Sequence, residues 1–342
     1  MFIVRFTSGL GNQMFQYCFT LLLKKLYPDT PVKADLTWFY ANNDHHGFEL
    51  IRIFGQNSGF SLEEASKSEL FRVTGLLPNL LMPKDMIVSR NGKAFTGRFR
   101  PETAMLFETI RRYPNRLLRE ITGKKRAPFR IDEGLDANAA AIDNDAFYRR
   151  IASLDPGKDY YFTGFFISER FFAPVLKEAR RAFLFPPFTD EKNRSLSAQI
   201  KGSYSVSLHV RRGDYLTVYQ DSFIALGPGY YRAAIREVCE RTGKKQEELS
   251  FFLFSDDPDF VREAFNYLDN AVIIANNTGA DSFRDMQLMA LCRHNIIANS
   301  TFSQWAALLN ENEGHLTIYP KAYLKHQDNE KKNLENWVMI GS

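Results

Sequence analysis

A rhythm in the second half of this 342-residue chain limits its fold more than any other feature. Short apolar runs, YSVSLHV (204–210), SFFLFS (250–255), AVIIAN (271–276), HNIIAN (294–299) and LTIYP (316–320), alternate with segments of helical character. Strands of this kind have no polar face to turn to water. They need cover on both sides, which a parallel sheet with crossover helices provides. The segments between them predict helices from Pro258 to about Tyr267, from about Ser282 to Cys292, and from Phe302 to about Asn310. Residues 229–243 fill the crossover after the first of these strands, with Gly243 as its C-terminal cap. The first half starts in the same way. FIVRF reads as a strand, SGLG as a tight loop allowed by Gly9 and Gly11, Asn12–Tyr27 as a helix and PVKAD as a second strand. The pattern then loosens over 36–110 until YYFTGFF (160–166) gives another strand and Ser168 caps a helix toward Phe183. A Pro-Pro pair within 183–193 ends this half. The chain is too long for one ordinary core and suits two α/β lobes, 1–190 and 191–342, with a cleft between them.

Composition removes several function classes. The three cysteines, Cys18, Cys239 and Cys292, are sparse, odd in number and without CxxC spacing, which argues against a disulfide scaffold or a structural zinc site. The N-terminus enters a strand at once, and no run of about 18 apolar residues occurs. These features lead to the expectation of a cytoplasmic protein. Net charge is only +4, which favours anionic ligands slightly. Nucleic-acid binding is not expected, because basic strands flanked by aromatics are missing. Basic residues do crowd 111–130: Arg111, Arg112, Arg116, Arg119, Lys124, Lys125, Arg126 and Arg130, against Glu120 alone. That run is either a solvated face or a patch for peripheral contact with an anionic membrane surface such as the inner membrane.

The unusual polar clusters all follow predicted strands, where ligands bind in open parallel sheets. HVRRGDY ends the 204–210 strand, and two adjacent like charges there call for a negative visitor. Ser300, Thr301 and Ser303 open a helix; they are either plain caps or donors to a phosphate at the helix's positive end. With Arg211 and Arg212 they would make a diphosphate cradle. Asp256 and Asp257 admit three readings: caps for the next helix, ligands for a divalent metal, or acceptors from a guanine edge or ribose hydroxyl. The third is preferred, since the arginine pair can neutralise a diphosphate without metal. His209 lies within a strand, and His45 and His46 lie in a polar loop. Zinc-hydrolase, serine-hydrolase and P-loop signatures are missing.

GLGNQMFQY near the start, HVRRGDY (209–215), FSDDPDF (254–260) and DMQLMALCRHNIIANSTFSQWAALL (285–309) resemble the α-1,2-fucosyltransferases of glycosyltransferase family 11, bacterial branch. FELIRIF (48–54) and TGFFISERFF (163–172) also resemble segments of that family, with Ile167 where Gln is common. The resemblance implies two Rossmann-like lobes facing across a cleft, the glycosyltransferase-B architecture. It implies that L-fucose passes from GDP-β-L-fucose, with inversion, to the 2-hydroxyl of a terminal β-galactoside on an oligosaccharide or surface glycan. No metal and no cofactor beyond the GDP-L-fucose donor are implied. On this reading Arg211 and Arg212 grip the diphosphate, His209 and Asp256 contact the nucleoside, and Ser300, Thr301 and Ser303 bind phosphate. Asn12 meets the site from the first lobe. Asp214 is the first candidate for the base that activates the acceptor, with Asp35 and Glu49 behind it; alternatively Asp214 holds an arginine in place. The rival reading is a non-catalytic GDP-sugar or phosphate-binding protein.

Overall fold

The computed structural model describes residues 1–41, 46–74, 144–325, 327–329 and 331–341, together with the backbone of 87–88, 95–96 and 129–132. The chain divides into two compact units, Met1–Leu184 and Phe185–Ser342. Both are α/β with an all-parallel central sheet, as the strand–helix rhythm predicts.

In the first unit the strands of the central sheet are β1 (Phe2–Arg5), β2 (Val32–Asp35), β3 (Phe129–Asp132) and β4 (Tyr160–Thr163), in the order β2-β1-β4-β3. Helix α1 (Leu10–Leu26) makes the crossover from β1 to β2 and is buried along most of its length. Phenylalanine and tyrosine fill this core. Phe2 meets Tyr27, Tyr160 and Phe162 edge-on, and Phe19 stacks on Phe166 with centroids 3.7 Å apart.

Three local expectations are corrected here. The turn before α1 does not rest on its glycines. Ser8 takes the left-handed conformation (φ 67°), Gly9 is extended and Gly11 lies inside the helix. Strand β4 stops at Thr163, because Gly164 (φ 154°) and Phe166 (φ 53°) leave the extended region. Ser168 does cap a helix, accepting from the Arg170 N–H, but the helix breaks into Glu169–Phe172, a 3₁₀ turn Ala173–Val175 and Leu176–Ala182. Pro174 lacks the N–H that a continuous helix needs.

The central sheet of the second unit has six described strands where the sequence pattern showed five: β5 (Ser205–Val210), β6 (Ser250–Ser255), β7 (Ala271–Ile274), β8 (His294–Ile296), β9 (Thr317–Pro320) and β10 (Trp337–Ile340). Their order is β10-β9-β8-β5-β6-β7. The helices used below are α2 (Pro228–Thr242), α3 (Pro258–Ala264), α4 (Phe283–Leu291) and α5 (Thr301–Leu308). Gly243 ends α2 in the left-handed conformation (φ 68°), as expected. Strand β5 is buried on both faces. Its Val206, Leu208 and Val210 join Tyr230, Tyr231 and Ile235 of α2 in the main core. The pleat turns Ser205, Ser207 and His209 to the opposite face. That face is buried but polar: the Asn295 amide donates to Ser207 Oγ (2.7 Å) and to the Met289 carbonyl (2.8 Å). The Ser207–Asn295 bond joins two residues paired across β5 and β8 and so helps to fix their register.

The topology decides where a ligand can sit. From β5 the chain adds β6 and then β7 on one side, whereas β8, β9 and β10 build outward on the other. The order therefore reverses between β5 and β8. At such a switch the flanking connections leave in opposite directions and open a crevice beyond the carboxyl ends of the two strands.

Candidate functional site

Arg211 and Arg212 follow β5, and Ser300 and Thr301 follow β8 after a short link, so both clusters border the switch point. They are cross-tied. Tyr215 donates its hydroxyl to the Asn299 carbonyl (2.9 Å), and the His209 ring lies 6.0 Å from that of Phe302. Two buried tyrosines in the first turn of α2 brace the strand ends from beneath: Tyr231 donates to the His209 carbonyl (3.0 Å) and Tyr230 to that of Ile297 (2.6 Å). Sequence reasoning missed this pair. The Tyr-Tyr dipeptide opening a crossover helix was its only signal, because buried tyrosine needs a polar partner for its hydroxyl.

The arginines are not bare cations. Arg211 Nη2 donates to Asp214 Oδ2 (2.7 Å) and its Nη1 lies 3.0 Å from Asp256 Oδ2. Burial opposes the charge of Arg211, but Asp256 and Asp214 outweigh it and raise the guanidinium pKa. Arg212 Nε reaches Asp257 Oδ2 (3.2 Å), and its guanidinium lies 3.6 Å from the centre of the Phe260 ring. Asp257 also caps α3 by accepting from the Phe260 N–H (3.1 Å). Asp256 accepts from the backbone N–H of Arg212 (2.9 Å) and of Gly213 (3.1 Å). Two guanidiniums thus meet three carboxylates. Among the described residues no three His, Cys, Asp or Glu side chains are grouped as a metal site.

On the β8 side Ser300 occupies the N-cap position with extended backbone, but its side chain makes no capping bond. Ser303 Oγ donates to the Ser300 carbonyl at 3.3 Å. The N–H groups of the first turn of α5 therefore lack the side-chain cap that Asp257 gives α3. His209 is buried, and its Nδ1 has no hydrogen-bond partner. Burial first, and Arg211 second, push its pKa down to about 4, with Asp256 opposing. The ring is neutral at physiological pH.

A further carboxyl escaped the sequence reading. Asp285 of α4 accepts from the Asn277 amide (2.7 Å), and Asn276 and Asn277 follow β7. Burial raises the Asp285 pKa to about 7, and the Asn277 bond opposes the rise.

In the first unit Asn12 donates to Ser8 Oγ (2.9 Å). Gln13, its buried neighbour, donates to the Ser8 and Gly47 carbonyls and accepts from the Glu49 N–H, which ties two loops together. Glu49 pairs with Arg52 (2.8 Å), and burial raises its pKa to about 7. Asp35 accepts from the Tyr161 hydroxyl and the Thr37 N–H. Both carboxyls are buried, and the partners named for them belong to the first unit. His45 and residues 111–128 of the basic run lie outside the described residues. No helix among the described residues is long and apolar enough to cross a membrane.

These features can be set beside known proteins. An α-1,2-colitosyltransferase of Escherichia coli is 27% identical over 99% of this chain and 98% of its own length. The O-antigen biosynthesis glycosyltransferase WbnK of Escherichia coli is 35% identical over 40% of this chain and 44% of its own. A galactoside α-(1,2)-fucosyltransferase 1 of Aotus azarae is 28% identical over 53% and 52%. The family model of glycosyl transferase family 11 matches residues 141–341, which span the whole switch-point site, and the chain belongs to that family.

Proposed function

We propose that the chain transfers L-fucose from GDP-β-L-fucose to the 2-hydroxyl of a terminal β-galactoside, forming an α-1,2 linkage with inversion at the anomeric carbon. The observation that carries this reading is the convergence of Arg211, Arg212 and the uncapped first turn of α5 on one topological switch point. As the sugar leaves, positive charge grows on its anomeric carbon and negative charge on the diphosphate. Guanidiniums and helix N–H groups fixed where the negative charge grows bind the transition state more strongly than the ground state. They supply this without a resident metal, so EDTA leaves the rate unchanged. Asp214 keeps Arg211 in place: one of its oxygens accepts from Arg211, and the other is buried without a partner. The family membership and the α-(1,2)-fucosyltransferase relatives support the reaction class.

The colitosyltransferase, matched end to end, supports a second reading in which the donor sugar is colitose. One experiment separates the readings. The protein is incubated with GDP-fucose or GDP-colitose and a panel of β-galactosides, and the product linkage is determined by NMR. Transfer from GDP-fucose to the galactose 2-hydroxyl is expected. Preference for GDP-colitose moves the donor to the second reading. Nucleotide binding without any transfer establishes the non-catalytic binder instead.

A further inference from the structure

Asp256 stands where a nucleoside contact would be sought, at the carboxyl end of β6 beside the switch point. Its oxygens are already committed. Oδ1 accepts from the Arg212 N–H at 2.9 Å. Oδ2 accepts from the Gly213 N–H at 3.1 Å and lies 3.0 Å from Arg211 Nη1. The three donors come from three consecutive residues of the loop after β5, so one side chain fixes the turn's backbone and one of its guanidiniums together. A carboxylate has about four lone-pair sites, and three directed donors leave little with which to read a base or a ribose. The fit is close. A methyl group built on Gly213 would lie 3.0 Å from Asp256 Oδ2 and 3.3 Å from its Cγ, tighter than side chains normally approach. Gly213 has no left-handed φ to explain the glycine, so contact with Asp256 is the constraint the structure shows.

We propose that Asp256 is a positioning residue for the arginine pair: a carboxylate lent by the neighbouring strand that holds the Arg211–Gly213 turn in its phosphate-binding shape. Phosphate affinity and turnover then depend on Asp256 although it touches neither. Asp257 is the analogous partner of Arg212, but it divides its oxygens between that side chain and the cap of α3. Of the two aspartates it is Asp256 that accepts from the backbone of the turn. The inference rests on the glycosyl transfer proposed above and adds a role for a residue outside the reacting atoms.

The test is Asp256→Asn in the full chain. Turnover with GDP-fucose, the melting temperature, and dissociation constants for GDP, inosine diphosphate and 2′-deoxy-GDP are measured beside the parent. Asparagine keeps the size but has one acceptor oxygen and no charge. The expected result is a turnover loss of at least ~10-fold, with the preferences for GDP over the two analogues held within ~2-fold. Collapse of either preference would show that Asp256 reads the base or the ribose, and would overturn the proposal. Unchanged turnover by the folded fraction, with only a lower melting temperature, would reduce it to a structural contact and overturn it equally. Gly213→Ala presses on Asp256 without removing it. It should lower turnover with the same unchanged preferences, and it decides the matter if Asp256→Asn does not fold. A parent protein that neither transfers sugar nor binds GDP would overturn the proposed function itself, and is recognised before any variant is measured.

Discussion

At the scale of single residues, chemistry is set by who holds whom. Arg211 and Arg212 look alike in sequence but have different surroundings. Arg211 sits between Asp214 and Asp256, while Arg212 lies over Phe260 with Asp257 at its Nε. Removing one charge-stabilising donor costs on the order of 3 kcal/mol. Arg211→Ala and Arg212→Ala are each expected to reduce turnover at least ~100-fold in a protein that still folds, read from steady-state rates and circular dichroism. Asp214→Asn is expected to lower turnover by roughly 10-fold and leave the shape of the pH–rate profile unchanged, because the carboxylate steadies Arg211. Loss of the acidic limb of that profile would instead make Asp214 the acceptor's base.

Elements add a second layer. Helix α5 begins at a serine that shapes the backbone without bonding to it. An ordinary N-cap side chain contributes about 1 kcal/mol. Ser300→Ala should therefore leave the melting temperature within about 1 °C of the parent while weakening GDP binding, as measured by calorimetry. A stability loss typical of a lost cap would show that the hydroxyl caps the helix in solution. Helix α4 carries a pH-dependent cost. Asp285 has its folded pKa raised to about 7, while the unfolded chain titrates near the ordinary carboxylate value. Between those values the folded state keeps a proton that the unfolded state has released, so stability falls as pH rises through the window. Asp285→Asn removes that cost and retains an acceptor for Asn277. Its melting temperature relative to the parent should rise between pH 5 and pH 8, whereas a constant difference would contradict the buried-carboxyl account. His209 and His294, both pushed down to about 4 chiefly by burial, act with the opposite sign over part of the same range. The difference between variant and parent is therefore the quantity to read.

At the scale of the whole molecule, the readable part of the fold was the part written as local pattern. Strands such as SFFLFS coincide with their apolar runs, because a strand buried on both faces has to be apolar throughout. Strand β10 went unread: WVMI follows a long polar stretch, and its pairing with Thr317–Pro320 is set by the sheet and not by its own sequence. The break at Pro174 was visible but outweighed by the helical pattern around it. Within the site, the arginines, the α5 serines and the neighbouring aspartates could be located as clusters. The arginine-loop partners of Asp256 and Asp257 lie more than forty positions away in sequence, and no spacing rule reaches that far. The central claim is that the β5–β8 switch point receives a nucleoside diphosphate. A crystal structure with GDP bound tests it most directly. The account expects both phosphates against the Arg211 and Arg212 guanidiniums and the first-turn N–H groups of residues 301–303. A fully occupied GDP with its phosphates away from these residues would contradict it.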